Sequence, residues 1–128
     1  MSAMSDYLEN EILDHILGTG SYTMPSAVYI GLSTGSFGDD NSGTELSGSG
    51  YARVAATFNA AASGTADNAS AVQFAAATGS WGSVSHFGIF DASTGGNLLI
   101  HGAFTTAKTI ESGDILKIDA GDLDISAD

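Results

Sequence analysis

Three histidines, His15, His86 and His101, together with 15 carboxylates, are the side chains from which acid–base, nucleophilic or metal chemistry could be assembled in this chain. His86 and His101 lie on two neighbouring strand-like runs, where pairing would bring their rings close. Two imidazoles on paired strands can ligate a metal, but no third ligand accompanies them at a typical spacing, so structural histidines are expected and no metal is assigned. Ser85, His86 and Asp91 supply the residue types of a nucleophilic triad. Successive side chains on a strand point to opposite faces, so Ser85 and His86 are expected not to meet, and no catalytic residue is assigned.

Residues 39–43, Asp-Asp-Asn-Ser-Gly, begin like a calcium loop. The bidentate acid that an EF-hand needs at its position 12 is replaced by Gly50, which leaves Asp39, Asp40 and Glu45 as a looser candidate cage beside the plainer reading of a solvated Asx-rich turn. Residues 18–21, Gly-Thr-Gly-Ser, lack the lysine of a phosphate loop and precede a strand, so they read as a helix stop, and no cofactor is expected. Tyr51 and Trp81, with Phe37, stand in or near loops. They are candidate receptor contacts if they form a platform for sugar rings, and ordinary core covers otherwise.

The elements that would position these residues are mostly strands. Residues 84–90 and 97–104 form two strand-like runs around a turn at 91–96, and both runs are apolar on both faces. Val84 and Phe90 oppose Phe87 and Ile89; Leu98, Ile100 and Phe104 oppose Leu99. The second face of this hairpin must therefore be covered. Period-two alternation also marks residues 28–32, 51–58 and 72–74, and shorter runs follow at 105–110, 115–118 and 123–125, with turns at 111–114 and 119–122. About eight short strands at turn spacing predict an antiparallel β-sandwich, jelly-roll-like, over residues 26–126. The loops at 36–50 and 59–70 are rich in Gly, Ser, Ala and Asn, which favours turns and mobility.

One amphipathic α-helix is predicted at the N-terminus, over residues 5–18. Asp6 and Glu9 have capping-box spacing, and Gly18 supplies the stop. Leu8, Ile12 and Ile16 recur every four residues, and Leu13 with Leu17 widens the stripe. So short a helix needs a surface, either the open face of the sheet or a neighbouring subunit. Leu8, Ile12 and Ile16 on the helix, and Phe87, Ile89 and Leu99 on the hairpin, are the interface candidates. Small residues inside strands, Gly31, Gly88, Gly102 and the alanines of 52–56, suit close backbone approach between subunits, so a homo-oligomer, a trimer or similar symmetric unit, is expected.

Composition bounds the partners. Residues 1–128 are enough for a single domain. Arg53, Lys108 and Lys117 are the only Lys and Arg residues, and the formal charge is −12, which excludes nucleic acid as a natural partner because phosphate binding needs clustered cations. The chain has no cysteine, so no disulfide framework or thiolate metal site is available. No run approaches the roughly 20 apolar residues of a membrane helix, and the first residues lack the pattern of a signal peptide, so a soluble product made in a cytoplasm is expected.

Five blocks, SDYLENEILDHILG, AVYIGLSTG, GSGYARVAATFNAA, ATGSWGSVSHFGIFDASTGGNLLIHGAF and SGDILKIDAGDLDIS, carry a resemblance that extends from about Ser5 to Ser126. In this order they resemble a family of small bacteriophage structural proteins commonly labelled tail fibre proteins. The resemblance implies a virion component with no enzymatic role, made in the host cytoplasm and present in many copies. Its expected partners are itself and other phage structural proteins of the tail, baseplate or capsid. Three functions stay open here: a tail fibre or tail-associated protein, a capsid decoration or cement protein, and a carbohydrate-binding module for a host surface glycan.

Overall fold

Alternation at residues 28–32 becomes an interior strand of a five-stranded antiparallel sheet. The computed structural model describes residues 2–126. In chain order the elements are β1 (Ser2–Met4), α1 (Asp6–Ile16), β2 (Val28–Ser33), β3 (Val54–Ala56), β4 (Thr65–Asp67), β5 (Val72–Gln73), β6 (Gly82–Phe90), β7 (Leu98–Ile110), β8 (Lys117–Ile118) and β9 (Asp124–Ser126). The sheet runs β1-β7-β6-β2-β3, and two antiparallel ribbons, β4-β9 and β5-β8, stand beside it. Ile30, Leu32, Val84, Phe87 and Ile89 of the sheet share one buried cluster with Val72, Phe74, Leu116, Ile118 and Ile125 of the ribbons. The expected antiparallel sandwich is therefore present, with the ribbons as its second layer.

Several boundaries differ from the sequence reading, each for a physical reason. Residues 97–104 and 105–110 are one strand, β7, because nothing in the sequence between them forces a turn. Within residues 51–58 only Val54–Ala56 pair with β2, since the side chains of Tyr51 and Arg53 turn to other partners, and Phe58 bridges Asn68 instead. The loop at 59–70 contains β4, reached through a tight turn in which Ser63 and Gly64 both have positive φ (53° and 78°) between the bridged residues Ala62 and Thr65. Two positive φ values in a two-residue turn match the twist of antiparallel strands.

A bulge explains the two-sided hairpin. Ile89 faces Ile100 but Phe90 faces Leu98, so Leu99 is the extra residue. Alternation along β6 puts Phe90 on the second face of the sheet, the slip in β7 turns Leu98 to that same face, and the two form a small cluster with Phe37.

The helix is capped one residue earlier than the Asp6–Glu9 spacing implies. Ser5, in extended conformation, accepts from the Leu8 N–H at 3.2 Å, and its own hydroxyl donates to the Leu98 carbonyl. A short hydroxyl side chain in extended backbone serves both bonds, which is why Ser5 holds the cap position. Gly18, with φ +81°, ends the helix as expected.

Candidate functional site

The second face of the sheet is covered by residues 36–53 and not by the helix. Gly31 and Gly88 face each other across β2 and β6. A methyl group built on Gly88 would lie 2.9 Å from Leu98 and 3.2 Å from Phe37; one on Gly31 would lie 2.8 Å from Glu45 and 2.9 Å from Phe90. The two glycines thus form a floor on which this chain's own side chains rest. The expectation that such small residues mark a subunit contact is overturned for this pair, because the space is filled from within. The loop at 36–50 was expected to be mobile, yet Phe37 is 1% exposed and packs edge-on against Phe90, with ring centroids 5.6 Å apart.

Arg53 clamps this cover. Its guanidinium carbon lies 3.6 Å from the Phe90 ring centroid. Nε and Nη2 donate to the two carboxylate oxygens of Glu45 at 2.9 and 2.7 Å, and Nη1 donates to the carbonyls of Ala92 and Gly95, each at 2.8 Å. A guanidinium fork suits bidentate bonding and stacking at once. Arg53 is therefore removed from the surface, since its side chain is 7% exposed.

Tyr51 completes the arrangement. β3 ends opposite Ile30, which leaves the backbone of Leu32 facing a side with no strand. The Tyr51 hydroxyl accepts from Leu32 N–H at 2.9 Å, and Leu46 N–H donates to the Leu32 carbonyl at 2.9 Å. Burial first, and then its donation to Glu45, push the Tyr51 phenol far above its ordinary value. The ring meets Trp81 edge-on at 5.6 Å, and the Trp81 indole N–H donates to the Ser49 carbonyl at 2.9 Å. Trp81 is 5% exposed. Of the two candidate receptor contacts, Trp81 is thus a core residue and Tyr51 is half-buried against that core, each with its polar group bonded within the fold.

The other chemistry-bearing residues disperse. Ser85 and His86 do meet, with Oγ 2.7 Å from Nδ1, contrary to the expectation from strand alternation. The ladder slips here, Val84 facing Lys108 and His86 facing Ala103, so strict alternation fails around Ser85. Among the described residues no acid orients the ring: Asp91 instead accepts from the backbone N–H and side-chain amide of Asn97, at 2.7 and 3.0 Å. Asp39 meets His101 Nε2 at 2.7 Å, Asp40 accepts from Ser42 N–H at 3.1 Å, and Glu45 binds Arg53. The three acids of the candidate calcium cage thus take three different partners. Asp40 is held below the usual carboxylate range by its hydrogen bonds from Ser42. Among the described residues no three His, Cys, Asp or Glu side chains converge as metal ligands. Likewise, no helix there is long and apolar enough to cross a membrane.

The interface candidates divide into two groups. Phe87, Ile89 and Leu99 are all at most 5% exposed, so they are consumed by the fold and unavailable to a neighbour. On α1, Leu8 is buried and Ile12 half-buried, whereas Ile16 is 72% exposed. The stripe read from the sequence is thus split, because only the first turns of the helix meet β1 and β7. Leu13 and Leu17, at 55% and 71% exposed, join Ile16 on the outer side.

The family model described as podophage GP4 fiber I protein gp80 matches residues 3–126. This chain belongs to that family. The resemblance to phage tail fibre proteins is therefore borne out, and gp80 membership carries a phage structural, tail-associated role and a place in the virion. No curated protein matches the chain.

Proposed function

We propose that this gp80-family chain is a non-enzymatic subunit of the phage tail fibre, working by self-assembly and by attachment to other tail proteins. The observation that carries this reading is the family match over residues 3–126. The outer stripe of α1 supports it from the structure: three large aliphatic side chains, Leu13, Ile16 and Leu17, stand exposed on one short helix. Apolar groups grouped in this way on a soluble surface mark contact sites. The dispersal of the histidines and acids among separate structural partners agrees with a role that needs no turnover.

Immunogold electron microscopy of the parent virions, with antibody raised against this protein, tests the assignment. Gold along or at the tip of the tail is the expected result. Gold spread over the head would replace the fibre reading with capsid decoration.

A further inference from the structure

A second apolar surface stays open besides the outer stripe of α1. Between the helix, strands β2, β6 and β7 of the sheet, and the β4-β9 ribbon lies a groove of about 300 Å³. Ile89 and Leu99 are its buried lining, whereas Val28, Phe58 and Ile100 are only half-buried and present apolar surface to solvent. No charged side chain lines the groove, and Tyr22 supplies the single polar one. Water in such a space finds almost no hydrogen-bond partner, which favours an apolar occupant.

The rim of the groove carries a side chain of that kind. Tyr22 and Pro25 both line it, and Met24, between them in sequence, is 81% exposed, more than any other large apolar residue described. Methionine is unbranched and adapts to an irregular hole. A knob thus stands beside a hole on the same molecule. Charge also permits two copies to meet here. Residues 17–28 contain no charged side chain, although the chain as a whole carries −12. Glu11 and Asp91 lie near enough to Tyr22 to act on its hydroxyl, but neither lines the groove. A contact centred on Met24 therefore sets no carboxylate against another at its middle, where like charges cost most.

We infer that two copies of this chain pair about a twofold axis, each seating Met24 in the groove of the other against Val28, Phe58 and Ile100. This pairing gives the self-assembly reading proposed above, on which it rests, a definite surface. Knob and hole lie side by side, so the contact is isologous: the same residues serve on both sides, and the pair closes at two. One seated side chain per copy makes a small interface, with a dissociation constant on the order of 0.1 mM.

The chain has no cysteine, so introduced thiols can report the contact. Met24→Cys and Ala66→Cys, the second within the groove, are made separately, shown by circular dichroism to be folded, mixed in equal amounts and oxidised. A disulfide between the two variants is expected on a non-reducing gel. It should form at least roughly tenfold faster than one between Ala66→Cys and Ile115→Cys, whose thiol replaces an exposed side chain that does not line the groove. Sedimentation equilibrium should show wild type in reversible monomer–dimer exchange, weakened roughly tenfold or more by Met24→Asp at its exposed position. A cross-link no faster than the Ile115→Cys control, or a dimer undiminished by Met24→Asp, overturns the inference. Wild type that stays monomeric while 1-octanol raises its thermal midpoint saturably also overturns it, and gives the groove to a small apolar ligand. Its failure is separable from that of the fibre assignment. Head labelling by gold with the dimer intact removes the fibre and leaves this contact, and tail labelling with a monomeric protein does the reverse.

Discussion

At Gly88 there is no room for a methyl group, because the neighbours at 2.9 Å include the Leu98 side chain, which is buried and cannot swing clear. Gly88→Ala should destabilise the protein by about 1–3 kcal/mol through overpacking, read from the midpoint of urea unfolding. Tyr51 makes a different prediction, one of pH. Its folded-state value lies above that of the unfolded chain, so the neutral phenol is favoured by folding. The stability this contributes is fully present below about pH 10, the ordinary tyrosine value, and is lost as pH rises toward the folded value. Thermal unfolding should therefore fall in temperature above about pH 10. Tyr51→Phe should be less stable at neutral pH by about 1–3 kcal/mol, with the buried Leu32 N–H left unpaired, and should show a shallower alkaline decline. A residual decline is expected from Tyr7 and Tyr22, both shifted upward chiefly by desolvation. The residue scale was the least legible in the sequence. Arg53, Glu45 and Tyr51 all lie in the long connection between β2 and β3, and their convergence beside Phe90 depends on where β3 stops. No local pattern encodes that. Asn68 is a similar case: it sits in a stretch that reads as turn, yet its amide donates to the carbonyls of Ser70 and Asp119 and accepts from Leu123 N–H.

Among elements, the turn joining β6 to β7 is held from outside. The carbonyls of Ala92 and Gly95 both receive Arg53, so the turn geometry is fixed by a side chain some forty residues earlier in the chain. Arg53→Met should lower stability by about 3 kcal/mol, because Glu45 keeps its charge without its partner. It should also speed amide exchange at residues 91–97, measured by hydrogen–deuterium exchange. For α1 the test is its cap. Ser5→Ala removes both the acceptor for Leu8 N–H and the donor to Leu98, and should cost about 1–2 kcal/mol in the same urea assay. The strands and the helix were readable where periodicity was sustained, as at 28–32, 84–90 and 8–16. The split of the helix stripe was not readable, because a hydrophobic period gives the side that is apolar but not how much of it a partner covers.

For the whole molecule, the antiparallel sandwich was legible from alternation and turn spacing, and the family from the order of its blocks. The covering of the second sheet face was not, since it depends on a long Gly- and Ser-rich loop whose composition suggests mobility while one residue, Phe37, anchors it. The strand order has a consequence for the time at which structure can form. β1 waits for β7, β4 for β9 and β5 for β8, and the β6-β7 hairpin is the longest pairing between strands adjacent in sequence. During synthesis β1 must therefore remain without its partner until β7 has left the ribosome, and β5 and β4 until β8 and β9 have. Refolding from denaturant should accordingly be slow for a domain of this length, on the order of milliseconds to seconds, with the β6-β7 hairpin the first region to gain exchange protection in pulse labelling. The core can therefore close only after β9 has been made, so the fold appears in one late step and not element by element.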